Sequence, residues 1–149
     1  MGLIISSELR AKLLDEAQKA HPAECCGLLI GQNGTVNDTV TDVQPAANVS
    51  KTPLTHFEID PAVLIAAQKA ARAGRQVGAG PGAEGEQRRV ILGYYHSHPS
   101  GEAMPSQTDA AMAAPDGRYW VVIAGGEMGV FKAAKDGEIW GRFEGVGAE

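Results

Sequence analysis

The stretch VILGYYHSHPSGEAMPSQTD, from Val90 to Asp109, reads in three parts: a strand, a loop and the start of a helix. Val90–His98 is rich in β-branched and aromatic residues, as strands are, and Pro99 ends it. Ser106 to Ala114 has helical character and stops at Pro115. Side chains two apart on a strand share a face, so His96 and His98 project together while Ser97 points away. Two imidazoles on one rigid strand make half of a tetrahedral zinc site. Asp109 follows 11 residues after His98, across a loop long enough to fold back, and would complete a His₂Asp set. The fourth position would stay open for water, as in hydrolytic rather than structural zinc sites. Two plainer readings stand beside this one. An H-x-H pair can be a solvated surface feature, and S-x-x-D is the spacing of a capping box at a helix start. Ser106 can cap and still act chemically, whereas Asp109 is not expected to serve a cap and a metal with one carboxylate.

Outward from this stretch, Cys26–Gly31 is short and continuously apolar, which suits a strand buried on both faces, with Glu24 at its head. Ser7–Ala20 places Leu9, Leu13 and Ala17 four apart, with Leu14 beside them, on one helical stripe. Ser7 is the expected N-cap, and His21-Pro22 stops the helix. Asn33-Gly34 reads as a turn into a strand over Thr35–Val43. His56–Asp60 reads as a further strand, and Asp60-Pro61 opens a helix that runs to about Ala73 and closes at Gly74. Gly74–Arg89 holds five glycines in 16 residues and reads as a flexible surface loop within one domain spanning 1–149. Tyr119–Ala124 is an apolar strand, and Gly129–Ala134 with Glu138–Phe143 forms a hairpin turning at Asp136-Gly137. Strands and helices mix without a regular βαβ rhythm. The expected class is therefore α/β in the mixed α+β sense, a central mixed sheet flanked by helices.

Composition narrows the function classes. The chain has 149 residues, 44% apolar and 21% charged, enough for one domain with a real core. A net charge of −5 with no basic run makes it a poor candidate for gripping nucleic acid. No apolar stretch approaches the roughly 18 residues needed to span a bilayer. The N-terminus does not read as a signal peptide. Cys25 and Cys26, the whole thiol inventory, are adjacent and so poorly placed to bridge. They read as small buried residues, in keeping with a reducing, cytoplasmic setting.

Glu24 before C-G-L-L-x-G, then H-S-H-P, then P-S-x-x-D, resembles the JAMM (MPN-plus) zinc metallopeptidases. The stretch Asn48–Pro61 resembles a segment of their compact prokaryotic members, so the likeness runs from about Leu3 to Phe143. It implies a single MPN-like domain and one zinc ion per chain, with His96, His98 and Asp109 as ligands. It further implies Glu24 as the general acid/base acting on the attacking water and Ser106 as the oxyanion donor. Ser97 and Pro99 match positions that shape the strand end, and His56 falls outside the signature. The implied activity is hydrolysis of the peptide or isopeptide bond after the C-terminal glycine of a ubiquitin-like or β-grasp sulfur-carrier protein. A non-catalytic MPN-type scaffold is the alternative, although such a domain would normally lack a ligand and none is missing here. A DNA-repair-associated family shares H-x-H-P-S-G, but an acidic chain fits it poorly. The chain is too short to hold both insertions of the eukaryotic deubiquitinating members, so efficient, linkage-selective cleavage of ubiquitin chains is not expected. A homodimer is left open, with Trp140 or the C-terminal hairpin as contributors.

Overall fold

A strand covered on both faces must be apolar on both, and the pattern of burial picks out which strands those are. The structure, a computed structural model, describes residues 2–72 and 89–148. Its elements in chain order are β1 (Gly2–Ile4), α1 (Ser7–Ala20), β2 (Cys26–Gln32), β3 (Asp38–Ala46), α2 (Pro61–Arg72), β4 (Val90–Ser97), α3 (Gln107–Met112), β5 (Tyr119–Ala124), β6 (Glu127–Gly137), β7 (Gly141–Gly145) and β8 (Gly147–Ala148). The strands form one mixed sheet in the order β7-β6-β5-β4-β2-β3-β1-β8. β4 runs antiparallel to β2 and parallel to β5. All six residues of β5 are buried, as its unbroken apolar run requires. The mixed sheet with flanking helices is the class expected from the sequence. Among the described residues, no helix is long and apolar enough to cross a membrane.

The core divides across the sheet. Leu13 of α1 packs with Leu29, Val43, Tyr95, Val121 and Ile123, and Leu9, Leu14 and Ala17 lie against them. The opposite cluster holds Cys26, Phe57, Trp120, Val122, Phe131 and Phe143. Alternation along β4 and β5 therefore sends Tyr95 and Val121 to the α1 side, and His96 and Val122 to the other. Cys25 and Cys26 follow the same rule. Both thiols are free and buried, one in each cluster, so their side chains diverge.

Tyr95 bolts α1 to the sheet. Its side chain is fully buried, and its hydroxyl donates to the Glu16 carboxylate at 2.9 and 2.7 Å. To reach α1 it crosses Gly27, where an added Cβ would run into the Tyr95 hydroxyl and the Gln44 carbonyl. Burial raises the Glu16 carboxyl above its usual range, opposed by the Tyr95 bond. Tyr95→Phe leaves that half-buried carboxylate without its donor, and should cost about 1–3 kcal/mol in a urea titration at pH 7.

Several local expectations shift. The N-cap of α1 is Ser6, not Ser7: it is extended, and its Oγ accepts from Leu9 N at 3.2 Å. Ser7 becomes the first helical residue. β3 starts later than Thr35 and runs beyond Val43 to Ala46, because Cys26 and Gly27 of β2 remain paired with Ala46 and Pro45. Between His56 and Asp60 only an isolated bridge forms, Asn48 to Ile59. That segment is tied instead by Asn48, whose Nδ2 donates to the Glu24 and His56 carbonyls and whose Oδ1 accepts from Ser50 and Glu58. The hairpin does not turn at Asp136-Gly137. Asp136 adopts a left-handed φ of 58°, but within a register shift of β6, and the chain reverses at Trp140-Gly141. α2 starts at Pro61 as expected, while residues 73–88, nearly all of the glycine-rich stretch, lie outside the described residues.

Candidate metal centre

Sheet register assembles this site. Cys26 lies opposite His96 on the antiparallel β2–β4 ladder, so Glu24, two residues back, faces His98, two residues on. All four belong to the same face of the sheet. On the other face, Ser97 Oγ accepts from Cys25 N at 2.8 Å and its own N–H donates to the Cys25 carbonyl at 3.1 Å. Those two bonds close the strand ends that carry Glu24 and His98. Sequence distance alone could not join Glu24 to the histidines. The ladder does.

His96 Nε2 and His98 Nε2 are 3.0 Å apart, and each lies 3.1 Å from Asp109 Oδ2. The three contacts cannot all be hydrogen bonds, since the carboxylate supplies no hydrogen and each neutral imidazole only one. A cation satisfies all three. Zinc held by bonds of about 2.0–2.1 Å in a tetrahedron needs ligand atoms about 3.3–3.4 Å apart, close to the spacing found. A carboxylate oxygen of Glu24 also lies within 4.8 Å of ring nitrogens of both histidines. Two acid–histidine triads thus share the same imidazoles. The one containing Asp109 is compact enough for direct coordination, and the looser one leaves Glu24 beside it.

Surrounding groups fix the donor atoms. His98 Nδ1 lies 2.9 Å from the Glu102 carbonyl, which accepts only if Nδ1 carries the hydrogen, leaving Nε2 a free lone pair. His96 is fully buried, stacked on Phe57 at 4.3 Å with the Trp120 ring edge-on at 5.7 Å. Among the described residues its Nδ1 is buried without a hydrogen-bond partner, so aromatic packing sets that side of the ring. Asp109 answers the question of competing roles. Ser106 N donates to Oδ2 at 2.9 Å and Asp109 N donates to Ser106 Oγ at 3.1 Å, a full capping box. The oxygen that accepts the cap also faces both histidines, because its two lone pairs can serve two directions. The cap bond therefore does not turn that oxygen away from the imidazoles. Ser106 Oγ, being an acceptor in the cap, keeps its own hydrogen to donate.

Electrostatics separate the two carboxyls. Burial pushes Glu24 up to about 7, with His98 opposing and Asp109 reinforcing. Burial works the same way on Asp109, but the His96 and His98 rings beside it and the Ser106 N–H overcome it and hold that carboxyl well below its usual range. One acid therefore stays ionised while the other titrates near neutrality. Burial keeps His96 below the usual imidazole range. His98 is raised because its bonds to Asp109 and the Glu102 carbonyl outweigh its burial. The thiols take no part: burial raises Cys25 to about 11 and Cys26 to about 12.

Each candidate named from the sequence lies in or beside this cluster: Glu24, His96, His98, Ser106 and Asp109. His56 does not join it, its Nδ1 lying 2.8 Å from Thr55 Oγ1. Phe57, Trp120 and the Glu102 carbonyl were not legible as site components. An apolar ring or a backbone oxygen carries no signal of its own until the fold sets it against an imidazole. A groove of about 650 Å³ opens beside His98, between α1 at Leu14 and Gln18 and the β5–β6 turn at Gly125-Gly126.

The fold sets two strand histidines against the capping-box aspartate of α3, an arrangement with counterparts among known proteins. The family model described as prokaryotic homologs of the JAB domain matches residues 6–140, and the chain belongs to that family. It is 30% identical over 126 residues to the desampylase of Haloferax volcanii, covering 82% of this chain and 80% of that one. It is 29% identical over 121 residues to the CysO-cysteine peptidase of Mycobacterium tuberculosis, covering 80% and 72%. The crystal structure of a JAB1/MPN domain protein from Archaeoglobus fulgidus superposes with a TM-score of 0.56, covering 99% of this chain and 98% of that one. At 18% identity that likeness concerns the fold.

Proposed function

We propose that this protein is a zinc metallopeptidase that hydrolyses the amide bond after the C-terminal glycine of a ubiquitin-like or sulfur-carrier protein. The observation that carries the reading is the triangle of His96 Nε2, His98 Nε2 and Asp109 Oδ2, with the Glu24 carboxyl beside it. Membership of the prokaryotic JAB family supports it, as do relatives named as a desampylase and a CysO-cysteine peptidase. A non-catalytic scaffold would have no use for a complete donor set with a neutral-range acid next to it.

The roles divide as follows. His96, His98 and Asp109 hold the metal, and each donor atom is oriented by a neighbour. When bound, zinc supplies Lewis acidity, bringing the pKa of a water down to about 7 and polarising a carbonyl. Glu24 accepts the proton of the attacking water and delivers it to the departing amine nitrogen. A buried carboxyl within 4.8 Å of the histidine nitrogens is placed to do both within one turnover. Ser106 offers its hydroxyl hydrogen to the oxygen on which negative charge develops.

The test is release of the amine partner from a carrier protein whose C-terminal glycine is joined to an amino acid or to a lysine side chain. The zinc-loaded protein is expected to cleave the linkage, a chelator to stop it, and added zinc to restore it. No release by zinc-loaded protein from either type of conjugate would contradict the reading.

A further inference from the structure

Trp140 occupies a backbone position that tryptophan suits badly. It has a φ of 54°, Gly141 follows at 69°, and Arg142 N donates to the Ile139 carbonyl at 3.0 Å. Those are the signs of a type I′ turn, whose first central residue is normally Asn, Asp or Gly. A left-handed φ crowds the Cβ of any bulky L-residue. Burial does not account for the residue either, because the side chain is 55% exposed. Among the described residues its side chain makes one long-range hydrogen bond: the indole Nε1–H donates to the Pro105 carbonyl at 3.0 Å.

That carbonyl belongs to the same peptide unit as Ser106 N–H, which donates to Asp109 Oδ2 at 2.9 Å. A peptide unit is planar and rigid, so fixing its oxygen fixes the direction of its N–H. The Asp109 oxygen so held is the one 3.1 Å from both imidazoles. We infer that Trp140 is a positioning residue of the metal centre, its indole locking the Pro105–Ser106 peptide and through it the Asp109 carboxylate and the Ser106 hydroxyl. The turn accepts an unfavourable backbone to place that N–H, the pattern of strain retained at working sites. The inference rests on the roles proposed above for Asp109 and Ser106.

Two substitutions separate positioning from plain stability. Trp140→Asn relaxes the turn and removes the indole, whereas Trp140→Phe keeps the ring and the backbone but loses the N–H. The readouts are Tm of the metal-free protein, zinc affinity by competition with a chromophoric chelator, and kcat and KM with a carrier conjugate. Trp140→Asn should melt at or above the wild-type temperature, yet both variants should bind zinc roughly tenfold more weakly and show a lowered kcat at little-changed KM. Wild-type zinc affinity in both variants would overturn the inference, as would a change confined to KM, the mark of a substrate-docking surface. A wild type that itself takes up no zinc would overturn the proposed function as well, and is recognised without any variant.

Discussion

Glu24→Gln is expected to keep its zinc and to lose roughly 10²–10⁴-fold in kcat for amide cleavage, the usual worth of a positioned general acid and base. Glutamine copies the shape of the side chain and removes only its capacity to take and return a proton. Glu24 is 5% exposed and faces His98 across the β2–β4 ladder, so no bulk water stands ready to replace it. Kinetics paired with metal analysis on the same preparation check this. A kcat within threefold of wild type, with zinc present, would remove Glu24 from the proton path. The same variant carries a stability signature in the metal-free protein. Burial raises the folded-state pKa of Glu24 to about 7, so ionising it opposes folding. Below the unfolded-state value near 4.5 the carboxyl is neutral in both states and this cost vanishes. Between there and about 7 the cost grows, and above 7 it is constant. Glu24→Gln should therefore gain stability relative to wild type as pH rises through that window, measured by denaturant titration at pH 5 and pH 8.

Asp109→Ala is expected to weaken zinc binding by more than the roughly 10–100-fold typical of losing an outer-shell partner, because it removes a donor atom itself. It also removes the side-chain half of the capping box at the start of α3, the bond from Ser106 N, which should cost about 1 kcal/mol in the metal-free protein. Asp109→Asn separates the two effects. Its amide oxygen can still accept from Ser106 N, so α3 keeps its start, but the charge that draws a cation to the two imidazoles is gone. Asn should recover most of the lost stability and little of the lost zinc affinity. If Asn binds zinc as tightly as Asp, the carboxylate belongs to the helix cap alone and the metal set must be sought with Glu24.

The sequence exposed the parts of this site whose geometry is local. Period-two projection put His96 and His98 on one face before any fold was known, and S-x-x-D spacing marked the start of α3. Glu24 was a different matter. Its place depends on a register between strands separated by some seventy residues, and family resemblance stood in for that register until the ladder supplied it. The supposed competition at Asp109 arose from counting a carboxylate as one interaction, when one oxygen accepts from two directions. The hairpin turn was misread because Asp-Gly is the stronger local signal, while Trp-Gly, a poor turn sequence, is held in place by a bond to Pro105. Phe57 was read as a strand residue. It stacks on His96 instead, since Asn48 ties residues 48–58 into a loop against the head of β2.

The most direct measurement is zinc content per chain by elemental analysis, on protein purified without chelator, with wild type beside His98→Ala. Of the two proposed histidine ligands, His98 is the one that faces the Glu102 carbonyl through Nδ1, and it is less buried than His96, so its removal disturbs the core less. The account predicts about one zinc per chain in wild type and little in the variant, with both proteins folded. Zinc absent from wild type after addition at neutral pH, or present equally in both, would contradict it.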